Sequence, residues 1–321
     1  MTILHNHALR KLHEGGLAIG FGVHHLRSAA TAMLAGATGF DWLFIDAEHG
    51  AMSVHEATQI CLAALPTGVS PMVRVCKDAL DDAARMLDNG AMGIVIPHVD
   101  TAKEAKRVAA ALRYPPRGHR SWGGPPALFL FRPPDADAAQ AAINAEILVC
   151  VMIETEEAVE NAAAIAAVEG IDALMIGTSD LSAEMGIAGQ LGHKRIGAAY
   201  AAVAAACRAS GKVLGMGGVY DQDAAARYIG LGARFILGGS DHQFLLTGAS
   251  ARASFLRGLD PARGSGAEAP AADAATIDET PAKAGKPAKH DEHAHGEKPA
   301  KGKKPKKDKK ADKPRPTPPV H

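Results

Sequence analysis

The chain has 321 residues, room for one large domain of about 250 residues and a remainder. Formal charge is zero, with 35 Lys and Arg against 35 Asp and Glu, but residues 261–321 hold 14 basic and 9 acidic side chains and leave 21 and 26 for the body. A uniformly basic body of the nucleic-acid-binding kind is therefore excluded.

Residues 4–14 predict a short amphipathic helix, and 17–23 the first strand, followed by a helix over 27–37. The stretch FDWLFIDAEHG (40–50) is a strand ending in a polar cluster, and 54–64 is helical. SPMVRV (70–75) is a strand with Arg74 at its end, 79–88 a helix, 91–97 the fourth strand, and 101–112 a helix with Thr101 as N-cap and Glu104 at the capping-box position. The Pro- and Gly-dense run 113–134 is a long loop, of the kind that is functional or mobile in a compact domain. A helix over 135–145 leads to strands at 147–153 and 173–176, joined by a helical pattern over 156–169. Next come a helix at 193–210, a strand at 212–218, a helix at 221–231, a strand at 233–241 and a last helix at 242–259.

Eight strands alternating with helices over this length predict a (β/α)8 TIM barrel. The alternative, an open doubly wound sheet, lacks its closely spaced glycines after the first strand. From residue 260 onward the chain is Ala, Pro, Lys, Asp and Glu with few large apolar residues, which predicts a disordered tail, so the division is 1–259 and 260–321. The four cysteines have no paired spacing and read as reduced thiols. No apolar run approaches the ~18 residues of a membrane span, and the N-terminus has no signal-peptide core; the expectation is a cytoplasmic protein with no membrane partner.

Parallel strands joined by one helix bring their C-terminal ends to one edge. Glu154 closes the fifth strand and Asp180 follows the sixth, so both should face one crevice, where two carboxylates either repel or share a hard divalent cation. Helix capping is the structural alternative for each. Asp46, Glu48 and His49 follow strand two and Arg74 ends strand three, at the edge where barrels carry function. Arg74 is either a strand-end salt bridge or a fixed cation beside developing negative charge. His49 is either a satisfied loop histidine or an acid/base oriented by a neighbouring carboxylate. Asp88 reads equally as a helix C-terminal residue before Asn89-Gly90.

VMIET with EGIDALMIGTSDLSAEMG, together with IDAEH and PMVR, resembles the HpcH/HpaI class II aldolases, metal-dependent pyruvate aldolases of the phosphoenolpyruvate/pyruvate barrel superfamily. The resemblance implies Glu154 and Asp180 as ligands of Mg²⁺, Mn²⁺ or Co²⁺. It implies Arg74 at the enolate oxygen, and His49 as acid/base with Asp46 as partner and Asp88 raising its basicity. Gly177, Thr178 and Ser179 would grip the pyruvate carboxylate. Met152 stands where the family often has Gln, a substrate contact, and GTSD replaces the commoner GPAD. Arg120 and Trp122 are expected at the pocket mouth, and His193 to be structural. The implied reaction is cleavage of a 4-hydroxy-2-oxo acid to pyruvate and an aldehyde; a Schiff-base lysine is not required, and the near candidates, Lys77 and Lys212, sit away from strand ends. The implied assembly is a homo-oligomer, a hexamer built as a trimer of dimers. Rival readings are a CoA-thioester lyase or citrate-forming condensing enzyme of the same superfamily, and a polyanion binder acting through the Lys-rich tail. The tail's interspersed acids and lack of aromatics speak against nucleic acid as its partner.

Overall fold

The computed structural model describes residues 5–260. The predicted tail from 261 onward lies outside the described residues, as do 1–4.

Eight parallel strands close into a barrel: β1 (Ala18–Val23), β2 (Trp42–Asp46), β3 (Ser70–Arg74), β4 (Gly93–Ile96), β5 (Leu148–Ile153), β6 (Ala173–Gly177), β7 (Val213–Gly217) and β8 (Ala233–Ser240), with β8 pairing back onto β1. The open-sheet alternative is thereby excluded. The helices are α1 (His7–His13), α2 (Thr31–Ala37), α3 (Val54–Ala64), α4 (Leu80–Asp88), α5 (Ala102–Leu112), α6 (Ala136–Glu146), α7 (Glu156–Glu160), α8 (Ala162–Ala166), α9 (Thr178–Glu184), α10 (Lys194–Ser210), α11 (Gln222–Gly230) and α12 (Asp241–Gly258). Among the described residues no helix is long and apolar enough to cross a membrane.

The strands read as continuous apolar runs because both faces are buried. Alternate residues point inward, where Trp42, Phe44, Met72, Val95, Cys150, Met152, Met175 and Phe235 form one cluster. Their neighbours Leu43, Ile45, Val73, Ile94, Val149, Val151, Leu174 and Ile176 pack outward under the helices. Trp42 stacks on Phe235 with ring centroids 4.0 Å apart. The indole fits because β1 carries Gly20 opposite it; a Cβ there would lie 2.3 Å from the ring.

Helix α1 plugs the N-terminal end of the barrel. Ala8, Leu9 and Leu12 join the inner cluster. Asn6 caps the helix by accepting from Leu9 N–H and donates through Nδ2 to the carbonyls of Met92 and Glu146, which precede β4 and β5. The far, C-terminal end is left for the strand-end polar residues.

The helical pattern expected over 156–169 is two short helices, α7 and α8, divided at Asn161, whose side chain donates to the carbonyl of Asp100. The helix expected from 27 begins only at Thr31. The capping box at Thr101 and Glu104 is present, and a second one, Ser53 with Glu56, starts α3.

Candidate active site

Asp46 is the last residue of β2, and Arg74, its register partner, is the last of β3. Both lie on the inward face and both are buried. Arg74 donates from Nε to Asp46 Oδ1 at 3.0 Å and from Nη2 to Oδ2 at 2.7 Å, a two-pronged fork. His24 Nδ1, just past β1, lies 3.1 Å from the same Oδ2. Burial works against the charged carboxylate, but His24 and Arg74 override it and hold the Asp46 carboxyl far below the usual range. Arg74 Nη1 also lies 3.2 Å from Glu48 Oε2. Despite that proximity, Glu48 Oε2 is buried without a hydrogen-bond partner.

The expected partnership of Asp46 with the His49 ring is corrected by this geometry. Asp46 Oδ1 accepts the backbone N–H of His49 at 3.2 Å and that of Glu48 at 3.1 Å, so it shapes the loop rather than meeting the imidazole. The carboxylate nearest that imidazole is Glu48, with Nε2 3.8 Å from Oε2, and the His49 side chain is 67 % exposed, free to meet a ligand.

Across the barrel mouth, Glu154 follows β5 and is 1 % exposed. Its Oε2 accepts the backbone N–H of His98 at 2.7 Å, with His98 Nδ1 3.2 Å away. Its Oε1 is buried and has no hydrogen-bond partner. The end of β6 makes room for it: a Cβ on Gly177 would sit 2.4 Å from Oε1. Burial, with the Asp180 carboxylate adding to it, pushes the Glu154 carboxyl up to about 7 although His98 and Arg74 pull the other way. An unsatisfied buried oxygen beside a second carboxylate is a cation-shaped deficit, and an all-oxygen donor set selects a hard divalent ion. Among the described residues no group of three or more His, Cys, Asp and Glu is arranged around a single ion position. Two carboxylates with water and ligand oxygens suit Mg²⁺-like ions, which keep several open positions. The residues therefore fit the metal.

A family model described as HpcH/HpaI aldolase/citrate lyase matches residues 24–247. This chain belongs to the HpcH/HpaI family. It is 40 % identical over 253 residues to a 4-hydroxy-4-methyl-2-oxoglutarate aldolase from Hapsidospora irregularis, covering 78 % of this chain and 94 % of that protein. It is 38 % identical over 243 residues to a 4-hydroxy-2-oxo-heptane-1,7-dioate aldolase from Salmonella paratyphi C, covering 76 % and 91 %. The crystal structure of an HpcH/HpaI aldolase from Desulfitobacterium hafniense superposes with a TM-score of 0.74 at 29 % identity, over 78 % of this chain and 97 % of that one.

On this HpcH/HpaI barrel the remaining expected residues fall into two places. Thr178 and Ser179 open α9 beside Asp180, and Met152 lies one inward layer below Glu154, 4 % exposed among the core residues. Thr178 is fully buried, and its hydroxyl is engaged with Tyr200 at 2.8 Å, so only its backbone is available at the mouth. Asp88 is elsewhere. It ends α4, next to the start of β4, where Arg120 Nη2 donates to it at 2.6 Å and Arg120 stacks over Tyr114. Helices of a barrel return from the C-terminal to the N-terminal edge of the strands, so Asp88 and Arg120 lie at the opposite end from His49. Trp122 joins them, edge-on to Tyr114 with centroids 5.6 Å apart. The expected pairing of Asp88 with His49, and the placing of Arg120 and Trp122 at the mouth, are thus not met within one chain.

His193 caps α10, its Nδ1 accepting from Arg195 N–H. Lys77 is held by Glu104 at 3.1 Å and Asp100 at 3.6 Å; burial favours its neutral form, yet these acids raise its ammonium above the ordinary value, contrary to what a Schiff-base amine needs. Four site neighbours are not among the candidates that the sequence singles out: His24, His98, Tyr200 and Asp241. Asp241 Oδ2 accepts three backbone N–H groups, from His24, His25 and Leu26, and so fixes the loop after β1. His24, His98 and Asp241 each carried a usable sign, a polar residue at or just past a strand end, and Tyr200 carried none.

Proposed function

We propose that this chain is a class II aldolase that reversibly cleaves a 4-hydroxy-2-oxo acid to pyruvate, or a close 2-oxo acid, and an aldehyde. The observation that carries the reading is the buried, unpartnered Oε1 of Glu154 facing the Asp180 side of a mouth whose other wall presents the fixed guanidinium of Arg74. The substrates named for both relatives carry a 4-hydroxy-2-oxo group.

Glu154 and Asp180 would hold the divalent ion, Mg²⁺, Mn²⁺ or Co²⁺, which supplies Lewis-acid polarisation of the 2-oxo group. Arg74, locked by Asp46, keeps N–H groups aimed at the oxygen where enolate charge develops and needs no reorganisation as it does so. The first turn of α9 offers the backbone N–H groups of Thr178 and Ser179 to the acid's carboxylate, beside Gly177. Met152 shapes the pocket beneath. His49 takes the proton of the 4-hydroxyl as the C3–C4 bond breaks, and returns a proton in the reverse direction.

Two features support a homo-oligomer, in the trimer-of-dimers hexamer that the family resemblance implies. Helix α12 exposes Leu245, Leu246, Phe255 and Leu256. Asp88 sits at the barrel end remote from its own His49, so only a second copy can bring the two together. The enzyme works on small molecules in the cytoplasm; its four cysteines are all free, which suits a reducing compartment. The 260–321 extension is dispensable for the chemistry.

Pyruvate release from a panel of 4-hydroxy-2-oxo acids, with Mg²⁺, Mn²⁺ or Co²⁺ and with EDTA, tests the reading. Metal-dependent, EDTA-sensitive release is expected, and a variant ending at residue 260 should match the full chain. Cleavage of a CoA thioester or formation of citrate, with no hydroxy-oxo acid consumed, would replace this reading by the other branch of the family's chemistry.

A further inference from the structure

The mouth carries a group of side chains that the aldol reaction itself does not use. His24 and His25 follow β1, and His242 opens α12 after β8. The rings of His24 and His242 are 5.4 Å apart, those of His25 and His242 5.4 Å, and those of His24 and His25 6.4 Å. Three imidazoles thus converge from two neighbouring strand ends. His24 and His242 are half-buried and His25 is exposed. The cluster is built on a fixed frame, because Asp241 accepts the N–H groups of His24, His25 and Leu26 through Oδ2 and that of His242 through Oδ1. Those four donors spread the Asp241 charge into the backbone. The other nearby carboxylate, Asp46, is occupied by Arg74 and His24. Neither acid is therefore an uncompensated repeller of an anion at the rings. His24 keeps Nε2 outside its contact with Asp46, and among the described residues the His25 ring is seen to meet the two other imidazoles. His242 Nδ1 lies 3.2 Å from Ser240 Oγ and 3.4 Å from Asp241 Oδ1, and its Nε2 3.4 Å from Ser240 Oγ, so a ligand carboxylate at this ring would compete with Ser240 and Asp241 for its N–H.

Strand order places this cluster relative to the reaction. The carboxylates Glu154 and Asp180 belong to β5 and β6, Arg74 to β3, Asp46 to β2, and His49 to the loop after β2. A 4-hydroxy-2-oxo acid with C1 and C2 at β5 and β6, its keto oxygen at Arg74 and its 4-hydroxyl at His49 has crossed the mouth toward β1 and β8. The next group along the chain, on C4, is then directed toward the strand ends that carry the three imidazoles.

We propose that His24, His25 and His242 form a subsite for a second carboxylate on the C4 side of the substrate, so that the enzyme is selective for 2-oxo diacids over monoacids. The inference rests on the aldolase reading for its substrate class. Imidazole N–H groups donate to carboxylate oxygens, and a hydrogen bond to a charged group is worth about tenfold or more in affinity.

The test pairs two substrates that differ only at C4, 4-hydroxy-2-oxoglutarate with a carboxylate and 4-hydroxy-2-oxopentanoate with a methyl, on the Mg²⁺-loaded full chain. Wild type should favour the diacid by about tenfold or more in kcat/KM. His25→Gln with His242→Gln should bring that ratio toward one, through KM for the diacid. A second readout involves no turnover: calorimetric binding of 2-oxoglutarate and 2-oxobutanoate, which have no 4-hydroxyl to cleave. Wild type should bind the diacid more tightly, and the double variant should lose that margin; exposed His25→Gln alone should lose part of it should the double variant fold poorly. Both hydroxy acids cleaved with no preference, or a preference unmoved in the variants, overturns the subsite and leaves the aldolase reading standing. Neither hydroxy acid cleaved overturns the aldolase reading, and calorimetry then decides the subsite alone: equal binding of the two oxo acids refutes it.

Discussion

Asp46 is fully buried, charged and shared between a guanidinium and an imidazole, and that sets how the fold meets acid. Its folded carboxyl pKa is depressed, so its stabilising charge is complete above the ordinary carboxylate value of about 4 and is lost as pH falls below it. Wild type should therefore lose on the order of 1 kcal/mol more than Asp46→Asn between pH 6 and pH 3, measured by urea denaturation across that range. Parallel curves for the two proteins would show the fork to be energetically idle. Glu154 works with the opposite sign. Buried beside Asp180, its carboxyl sits at about 7, and a bound cation should draw it back down by favouring the ionised form. Mn²⁺ affinity should then rise with pH through neutrality, and Glu154→Gln should reduce it at least tenfold, read by Mn²⁺ paramagnetic resonance without any turnover. Unchanged Mn²⁺ affinity in that variant would remove the ion from this place.

At the scale of elements, the strand ends were legible in the sequence because inward-facing alternation is strict: Asp46, Arg74 and Glu154 each extend an apolar run by one step on the same face. What sequence could not give is which neighbour each charge finds. Asp46 lies three residues from His49, yet its side chain turns to Arg74, because the register of β2 against β3 sets the two side by side. Asp88 looked like a site residue from its motif alone, and the return direction of α4 carries it to the other end of the barrel. The Thr178–Tyr200 pair joins a strand end to the middle of α10, 22 residues on, and no local pattern encodes that. Gly177 is the element-scale position most open to test. A Cβ there meets Glu154 Oε1 at 2.4 Å, and the carboxylate head must move. Gly177→Ala should fold with a loss of about 1–3 kcal/mol and weaken Mn²⁺ binding at least tenfold. Normal affinity in the folded variant would mean that Glu154 points elsewhere when the ion is bound.

For the whole molecule, the outer surface is as informative as the mouth. Helix α12 has 18 residues, and Asp241 is its one buried residue. Phe244 anchors its first turn against Phe21 and Phe40, with centroids 5.3 and 5.7 Å away. Beyond that turn, Leu245, Leu246, Phe255, Leu256 and the following Leu259 are half or more exposed. The loop tip at Leu130 and Phe131 is also exposed, with both residues at positive φ, a conformation that non-glycine residues adopt sparingly and that presents two large apolar side chains to the outside. Exposed apolar side chains of this size on one helix are of the kind that protein interfaces cover. Light scattering after gel filtration should find an oligomer for the wild type. Leu245→Glu with Leu256→Glu should shift the mass to smaller species, because two charges cannot be buried unpaired in the interface. Activity supplies the second half of the test. If assembly carries Asp88 of one copy to His49 of another, Asp88→Asn should lower kcat about tenfold or more in the intact oligomer, and the dissociated Leu245→Glu/Leu256→Glu protein should be low in activity whether or not Asp88 is present. A wild-type monomer with full activity would show that the exposed face of α12 serves some other partner and that Asp88 has no part in the chemistry.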